Sequence, residues 1–523
     1  MIPPLLHQTW KTDHLPDRFA GYVESWQRHN PGWTRILWTD RMLLEFVAEH
    51  YPDFLSTFCS YRFGVRRADA ARYLLLHHFG GIYADIDCRC VAPFDPIMDE
   101  ERVVLCKEPP SHADRQATLR GLPYLVFNGT MASPPGHPFW PHVLAYLPGL
   151  AQANETLDAT GPCLLTSAQL SFPNQAGLVI HPSHLFTPLN SNGAREAGTT
   201  GRVELSIHDW AGTWWSPKPA GKWHDRLRLA FYKTRYRLER GEHLCETTAR
   251  LSVDAAALTA SAPRGDNLAI LVPLRDAEQH IEPFLKAVGG LEHPKEKTKL
   301  VFCEGDSADD SWERLQAAVE PLRKEYRHIV LLQKQVGTRI DRSKRWKAKI
   351  QRARRAGIAS VRNHLIDHGL DASDDWALWM DIDVWHFPAD MVRRLVNTGG
   401  RIVTPNCVKV PGGPSFDLNA FVTLHPEKDY RYYRATRRGL YQPPANTVRR
   451  MHLSDVRHLE RIDLHSVGGT MLLVDAALHR AGLRFPEIPY CDLIETEGFA
   501  ALARDLGIIP LGLPKVEVLH VPW

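Results

Sequence analysis

Short apolar runs alternate with helical periodicity along the first 220 or so residues. PLLHQTW (4–10), TRILWT (34–39), GGIYADI (80–86), RVVLCKE (102–108) and YLVFNGTMAS (124–133) read as strands, and 66–79 repeats its apolar positions at helical spacing. A second rhythm begins at Asn267. LAILVPL (268–274) precedes a helix, then KLVFCEGDSADDSWERL (299–315), IVLLQK (329–334), a basic helix, WALWMDIDV (376–384) and RIVTPN (401–406). Strand alternating with helix predicts α/β architecture in both halves. AGTWWSPKPAG (211–221) is rich in Pro and Gly and closes the first half, with a boundary near 245–265. The expected organisation is therefore a domain over 1–220, a helix and linker over 221–262, and a second domain over 263–523.

Within the connector, KWHDRLRLAFYKTRYRLER (222–240) predicts one amphipathic helix, with Trp223, Leu227, Phe231 and Leu238 near one stripe and seven Lys/Arg around them. A plain reading packs that stripe against a domain. A sharper one lays it on an anionic membrane surface. The run 339–355 carries nine Lys/Arg in 17 residues. It reads either as a cationic lid over a diphosphate or as a solvated helix. With Trp346 its only aromatic, it does not read as a nucleic-acid site.

Composition narrows this picture. A chain of 523 residues exceeds one ordinary core. Hydrophobic content of 44% and charged content of 24% are those of a globular protein, and a net charge of +3 gives no global field for nucleic acid. No window holds the roughly 18 apolar residues of a membrane span. Residues 2–10 already read as a first strand, so no secretory leader and a cytoplasmic location are expected, with the 222–240 helix the element for any peripheral contact at the inner membrane face. Nine scattered cysteines without a C-x-x-C pair fit reduced thiols. Cys88 and Cys90 form a C-x-C, better explained as alternate strand positions than as a metal site.

The candidate chemistry lies where two strands end in acid. Asp85-Ile86-Asp87 and Asp381-Ile382-Asp383 are the only D-x-D triplets of the chain. On a strand, residues i and i+2 share a face. Two buried carboxylates there repel and are costly unless a divalent cation joins them. A cation so held keeps positions open for phosphate oxygens, and the carboxyl ends of strands are where open α/β sheets bind ligands. The triplet alone is weak, since about one is expected by chance in a chain of this length and composition.

The surroundings carry more. IPPLLHQTWK (2–11) with RRADAARYLLLHHFGGIYADIDCRCVAPFD (66–95), then FNGTMASPPGHPFW (127–140), TGPCLLT (160–166) and HDWAGTWW (208–215), resemble the DXD-containing glycosyltransferase family 32 over about residues 1–220. That resemblance implies His7, Gln8 and Trp10 beside the nucleotide, and Asp69 and Arg72 on the donor sugar and phosphates. It implies Asp85 and Asp87 on ribose and metal, with His208 a further metal ligand that closes the site together with Trp214 or Trp215. Plainer readings make Asp69 a helix cap, His208 a loop histidine and the tryptophans core.

The second half resembles glycosyltransferase family 62, the mannan-polymerase subunits. The matching stretches are ILVPLRDAEQHI (270–281), GDSADDSWERL (305–315), IASVRNHLI (358–366), WALWMDIDVWHFP (376–388), VTPNC (403–407), FDLNAF (416–421), DLHSVGGTMLLVDAALHRAGLRFP (463–486), LIETEGFAALARDLG (493–507) and GLPKVEVLH (512–520). The resemblance implies Asp381, Asp383 and His520 on the metal, and Asp306 at base or ribose. It implies Arg362 and Asn363 near the phosphates, and Glu495 and Glu497 facing a sugar. Glu497 also reads as an acid at a helix start.

Both families imply a GT-A fold, a Rossmann-like nucleotide-diphospho-sugar transferase domain, here two in tandem, each with one Mn²⁺ or Mg²⁺. The expectation is a bifunctional retaining glycosyltransferase using GDP-mannose, or a UDP-hexose in the first domain, on a glycan or lipid-linked glycan of a bacterial surface. Two alternatives stay open: one domain acting only as a glycan-binding or scaffolding module, or a nucleotide-sugar hydrolase.

Overall fold

The computed structural model describes residues 1–196, 201–212, 223–240, 250, 252–254, 257–258, 265–337, 348–444, 447 and 449–521. It forms two compact units, residues 1–217 with 455–459, and residues 218–454 with 460–523.

In the first unit the predicted runs become β1 (Leu5–Trp10), β2 (Thr34–Thr39), β3 (Gly81–Ala84), β4 (Cys88–Cys90), β5 (Val103–Lys107), β6 (Val126–Ser133), β7 (Leu178–His181) and β8 (Ser206–His208). One mixed sheet runs β2-β1-β3-β6-β5-β7, and β4 pairs with β8 apart from it. β1 is parallel to β2 and β3, while β6 is antiparallel to β3 and β5.

The helix Gly64–Phe79 lies in front of β3 in sequence and sinks Tyr73, Leu74, Leu75 and Leu76 completely into the core. It stops at Gly80, whose φ of 65° is left-handed and whose N–H caps the carbonyl of Leu76. A Cβ on Gly80 would stand 2.6 Å from Pro135 N, so no other residue turns the chain so tightly from helix into β3.

The second unit holds β9 (Leu268–Leu274), β10 (Thr298–Glu304), β11 (His328–Gln333), β12 (Trp376–Met380), β13 (Val384–His386), β14 (Ile402–Val408), β15 (Phe421–Thr423), β16 (Thr436–Arg437), β17 (Leu440–Tyr441), β18 (Arg450–His452), β19 (Ile462–Asp463), β20 (Met471–Asp475) and β21 (Leu511–His520). Its main sheet runs β11-β10-β9-β12-β20-β14-β21-β13, with β19 also on β21. β9 to β12 are parallel, and β9, β10 and β12 are buried on both faces, which is why those three read as continuous apolar runs rather than alternating ones. The long helix Ala348–Gly369 carries Arg362.

The helix predicted over 222–240 is present as Trp223–Arg240 and groups with the second unit. Its orientation differs from the plain reading. Trp223, Leu227, Phe231 and Leu238 are 59–81% exposed, and its polar side does the packing. The Pro/Gly-rich stretch from 213 onwards, most of the 245–265 boundary, and residues 339–347 of the basic run lie outside the described residues.

Candidate functional site

Each Asp-Ile-Asp triplet occupies a tight turn just beyond a central strand, rather than the strand itself. The N–H of Cys88 returns to the carbonyl of Asp85 at 2.9 Å, and that of Val384 to Asp381 at 3.1 Å. The first aspartate is still tied to the sheet by its backbone, Asp85 N–H donating to Gly129 O at 2.7 Å and Asp381 N–H to Thr470 O at 3.0 Å. The intervening isoleucines, Ile86 and Ile382, are each 6% exposed. The same-face argument therefore gives way to a turn. The middle residue plugs the core, and the flanking carboxylates are left together at the strand's end.

A histidine from a later strand meets the second aspartate. His208 stands opposite Cys88 in the β4–β8 pair, with Nε2 3.2 Å from Asp87 Oδ1. His520 stands opposite Val384 in the β13–β21 pair, with Nε2 3.0 Å from Asp383 Oδ2. Burial opposes the charge of both imidazoles, but the hydrogen-bonded aspartate prevails and raises their pKa. Burial likewise pushes Asp87 upward, yet His208 and the backbone N–H of Ala211, 2.8 Å from Oδ2, hold it below the usual carboxylate value.

An arginine meets the first aspartate. Arg72 lies with Nη2 2.9 Å from Asp69 and 3.1 Å from Asp85, and its Nη1 donates to Asn128 O at 2.6 Å. Arg362 lies 3.3 Å from Asp381 and 3.3 Å from Glu495, and donates to Gly469 O. Each guanidinium packs on the ring two residues before its aspartate. That ring is Tyr83 at 4.6 Å for Arg72 and Trp379 at 5.3 Å for Arg362. Burial raises the pKa of Asp85 despite Arg72, carries Asp69 to about 6, and carries Asp381 to about 7 despite Arg362. Each site thus has one carboxyl that resists ionising beside one paired with histidine.

Carboxylate oxygens with one imidazole suit Mn²⁺ or Mg²⁺. Ligand atoms of Asp87, Cys88 and His208 fall within 4.8 Å of one another. Cys88 is the poor member. Burial lifts its thiol well above the ordinary value, and its Sγ is engaged by Gly129 O and the Thr130 hydroxyl. Cys90 is likewise buried, its Sγ on Ala92 O, so the C-x-C is core packing.

Several expected residues sit elsewhere. His7 is fully buried. Its Nε2 donates to Gly80 O at 3.0 Å, its Nδ1 accepts from Trp38, and no ring nitrogen remains for a nucleotide. It secures the turn into β3 instead. Gln8 accepts from Arg35 at 2.6 Å, and Trp10 packs edge-on against Phe19. Between them, Thr9 bonds the Tyr83 hydroxyl at 3.1 Å, and that hydroxyl donates to Asp85.

In the second unit Asn363 is not brought to Asp381, because its amide brackets the backbone of Phe485, accepting from N–H at 3.0 Å and donating to O at 2.9 Å. Asp306, at φ 58°, spends its carboxylate on the N–H groups of Val336 and Gly337. Glu495, also at φ 58°, supports Arg362, whereas Glu497 pairs with Arg450 at 3.1 Å and Arg355 at 3.5 Å. Trp214 and Trp215 lie outside the described residues.

Sequence reasoning passed over Trp210, whose ring lies 4.4 Å from that of His208, and Asp417, bonded to the Thr470 hydroxyl. It also passed over Arg355 and Arg450. Position gave a signal for Trp210, which follows His208 at i+2. The others come together only through the sheet.

Comparison with known proteins places residues 16–104 in a match to the family described as glycosyltransferase sugar-binding region containing DXD motif. Residues 253–489 match the Anp1 family. The chain is 36% identical over 142 residues to inositol phosphoceramide mannosyltransferase 1 of Schizosaccharomyces pombe, covering 26% of this chain and 40% of that protein. It is 31% identical over 186 residues to mannan polymerase complex subunit mnn9 of the same yeast, covering 34% of this chain and 55% of that one. The chain thus spans about half the length of these curated relatives. Among solved structures, a mannosyltransferase from Pyrobaculum calidifontis, in complex with GDP-Man and Mn²⁺, aligns with a TM-score of 0.30 at 14% identity over 57% of this chain and 68% of its own. The resemblance of the N-terminal half to DXD glycosyltransferases and of the C-terminal half to the mannan-polymerase type stands, and with it the α/β class with two tandem GT-A units.

Proposed function

We propose that this chain is a glycosyltransferase with two donor sites, each moving a hexose, mannose in the first instance, from a nucleotide sugar to a glycan or lipid-linked glycan acceptor of a surface polymer. The observation that carries the proposal is the repeated constellation. Arg72, Asp85, Asp87 and His208 in one unit have the same mutual arrangement as Arg362, Asp381, Asp383 and His520 in the other. The mannosyltransferase names of the relatives favour GDP-mannose as first donor, with a UDP-hexose as the alternative in the first unit.

In each unit the aspartates and the histidine would hold one Mn²⁺ or Mg²⁺. When bound, that ion supplies Lewis-acid stabilisation to the departing diphosphate. The chain's own groups act around it. Asp69 and Glu495 pin the buried guanidinium groups of Arg72 and Arg362, so that cationic charge is preorganised beside the first aspartate. The acceptor hydroxyl bonds to the anomeric carbon as the carbon–phosphate oxygen bond breaks, and the acceptor's proton passes to the departing phosphate oxygen. The linkage stays α.

Turnover of a panel of GDP- and UDP-sugars, with acceptor, by wild type, Asp87→Ala and Asp383→Ala tests this reading. Loss of one donor or one linkage in each variant is the expected result. Full activity in both would refute the site assignment. Nucleotide release that needs no acceptor would favour hydrolysis, and an inverted β-linked product seen by NMR would refute retention.

A further inference from the structure

The helix Trp223–Arg240 is held to its unit by the wrong side for an ordinary amphipathic helix. Tyr236 donates to Asp492 at 2.7 Å, Arg235 donates to the carbonyls of Tyr433 at 2.9 Å and Thr436 at 3.2 Å, and Glu239 accepts from the N–H of Arg438 at 3.2 Å. The ring of Tyr236 meets that of Tyr433 edge-on. The opposite side carries Trp223, Leu227, Phe231 and Leu238, exposed by 64%, 59%, 66% and 81%. At 3.6 residues per turn these four fall within one quadrant and form a stripe along a helix about 27 Å long. Four large apolar side chains in a row on water are unfavourable unless something covers them.

The charges say what covers them. Arg226, Lys233 and Arg237, all exposed, flank the stripe on one side, whereas Arg228 lies toward the packed side, paired with Asp225 at 3.6 Å and over the ring of Tyr430. The helix's two acids, Asp225 and Glu239, turn toward the packed side, where Glu239 is bonded. An apolar stripe bordered along one side by three long cations fits the headgroup level of an anionic bilayer, the apolar side chains entering the acyl boundary and the cations reaching phosphate. A second copy of the chain fits poorly, since a two-fold pairing of this face would oppose cation to cation. Nor is this a spanning element, because no helix among the described residues is long and apolar enough to cross a membrane.

We propose that this face docks the second unit on an anionic lipid surface, lying on the membrane with the helix axis in its plane. The inference does not depend on either donor site.

The test is co-sedimentation of the full chain with vesicles of phosphatidylcholine alone and with phosphatidylglycerol added. The expected result is partition to the anionic vesicles only, weakening as salt rises. Leu227→Glu with Phe231→Glu should abolish it. Neutralising Arg226, Lys233 and Arg237 together should lower partition on the order of a hundredfold, at about fivefold per charge. These positions are exposed, so unchanged melting curves are expected of both variants. Failure of wild type to pellet with anionic vesicles, or partition indifferent to the glutamate pair, would overturn the proposal. So would a wild-type dimer in sedimentation velocity that the glutamate pair dissolves. Donor turnover measured on the same variants in solution keeps this outcome separate from that of the donor sites.

Discussion

His520 Nε2 stands 3.0 Å from Asp383 Oδ2 and faces, across an antiparallel pair, the residue that follows that aspartate. His208 holds the same register against Cys88 and Asp87. Two units with different strand orders thus deliver imidazole to carboxylate by one device.

That device makes the metal binding proposed for each unit separable by experiment. In isothermal titration with Mn²⁺, His208→Ala should weaken one site by at least about tenfold and leave the other, and His520→Ala should do the reverse. Titrations identical to wild type in both variants would remove the histidines from the proposed ligand set.

Arg72 should matter to stability before it matters to turnover. One of its acidic partners, Asp69, is 5% exposed and the other, Asp85, is half-buried, so Arg72→Met leaves a buried carboxylate unpaired and should cost about 3 kcal/mol in urea denaturation. Lysine should not restore it, because one ammonium does not span Asp69, Asp85 and the Asn128 carbonyl together. A loss under about 1 kcal/mol would show that the ion pairs are incidental.

Gly469 should tolerate no side chain. A Cβ there would land on Arg362 Nη2 and 3.3 Å from Thr496, so the guanidinium that reaches Asp381 must move. Gly469→Ala is expected to lose about 1–3 kcal/mol and to impair the second site alone. Gly149, with open space around its would-be Cβ, provides the contrast. Gly149→Ala should be neutral or gain a few tenths of a kcal/mol.

His479 sets a pH edge. Burial lowers it from 6.5 to about 4, its Nδ1 donating to Leu483 O and its Nε2 accepting from Trp379. Between these values the unfolded chain binds the extra proton, so stability is full above about pH 6.5 and falls as pH drops toward 4. The contribution is on the order of 3 kcal/mol. Thermal melts of wild type should therefore fall more steeply over that window than those of His479→Gln. Parallel curves would contradict the assignment.

Much of the framework was readable in the amino-acid order because it is local. TRILWT is β2 and LAILVPL is β9, residue for residue, and the helix read over 66–79 extends only to Gly64. Periodicity and glycine punctuation suffice for such elements. The acidic turns were located but mistaken for strand, because the return of Cys88 N–H to Asp85 O depends on where the sheet partner ends. His7 looked available as a polar residue on the first strand. Its capture by Gly80 and Trp38 spans 73 and 31 residues, which no local pattern encodes. Asp417, Arg355 and Arg450 escaped for the same reason. The helix at 223–240 was legible as amphipathic, but which side faces water was decided by Tyr433 and Asp492, far along the chain.

The buried isoleucine inside each acidic turn has a thermodynamic consequence. Asp85 and Asp87 cannot spread to relieve their repulsion without drawing Ile86 out of the core, and Ile382 restrains Asp381 and Asp383 in the same way. The repulsion within each pair is therefore borne by folding rather than relaxed by local motion. The cation proposed for each pair would meet oxygens already in place, so little reorganisation entropy would be left to oppose its binding.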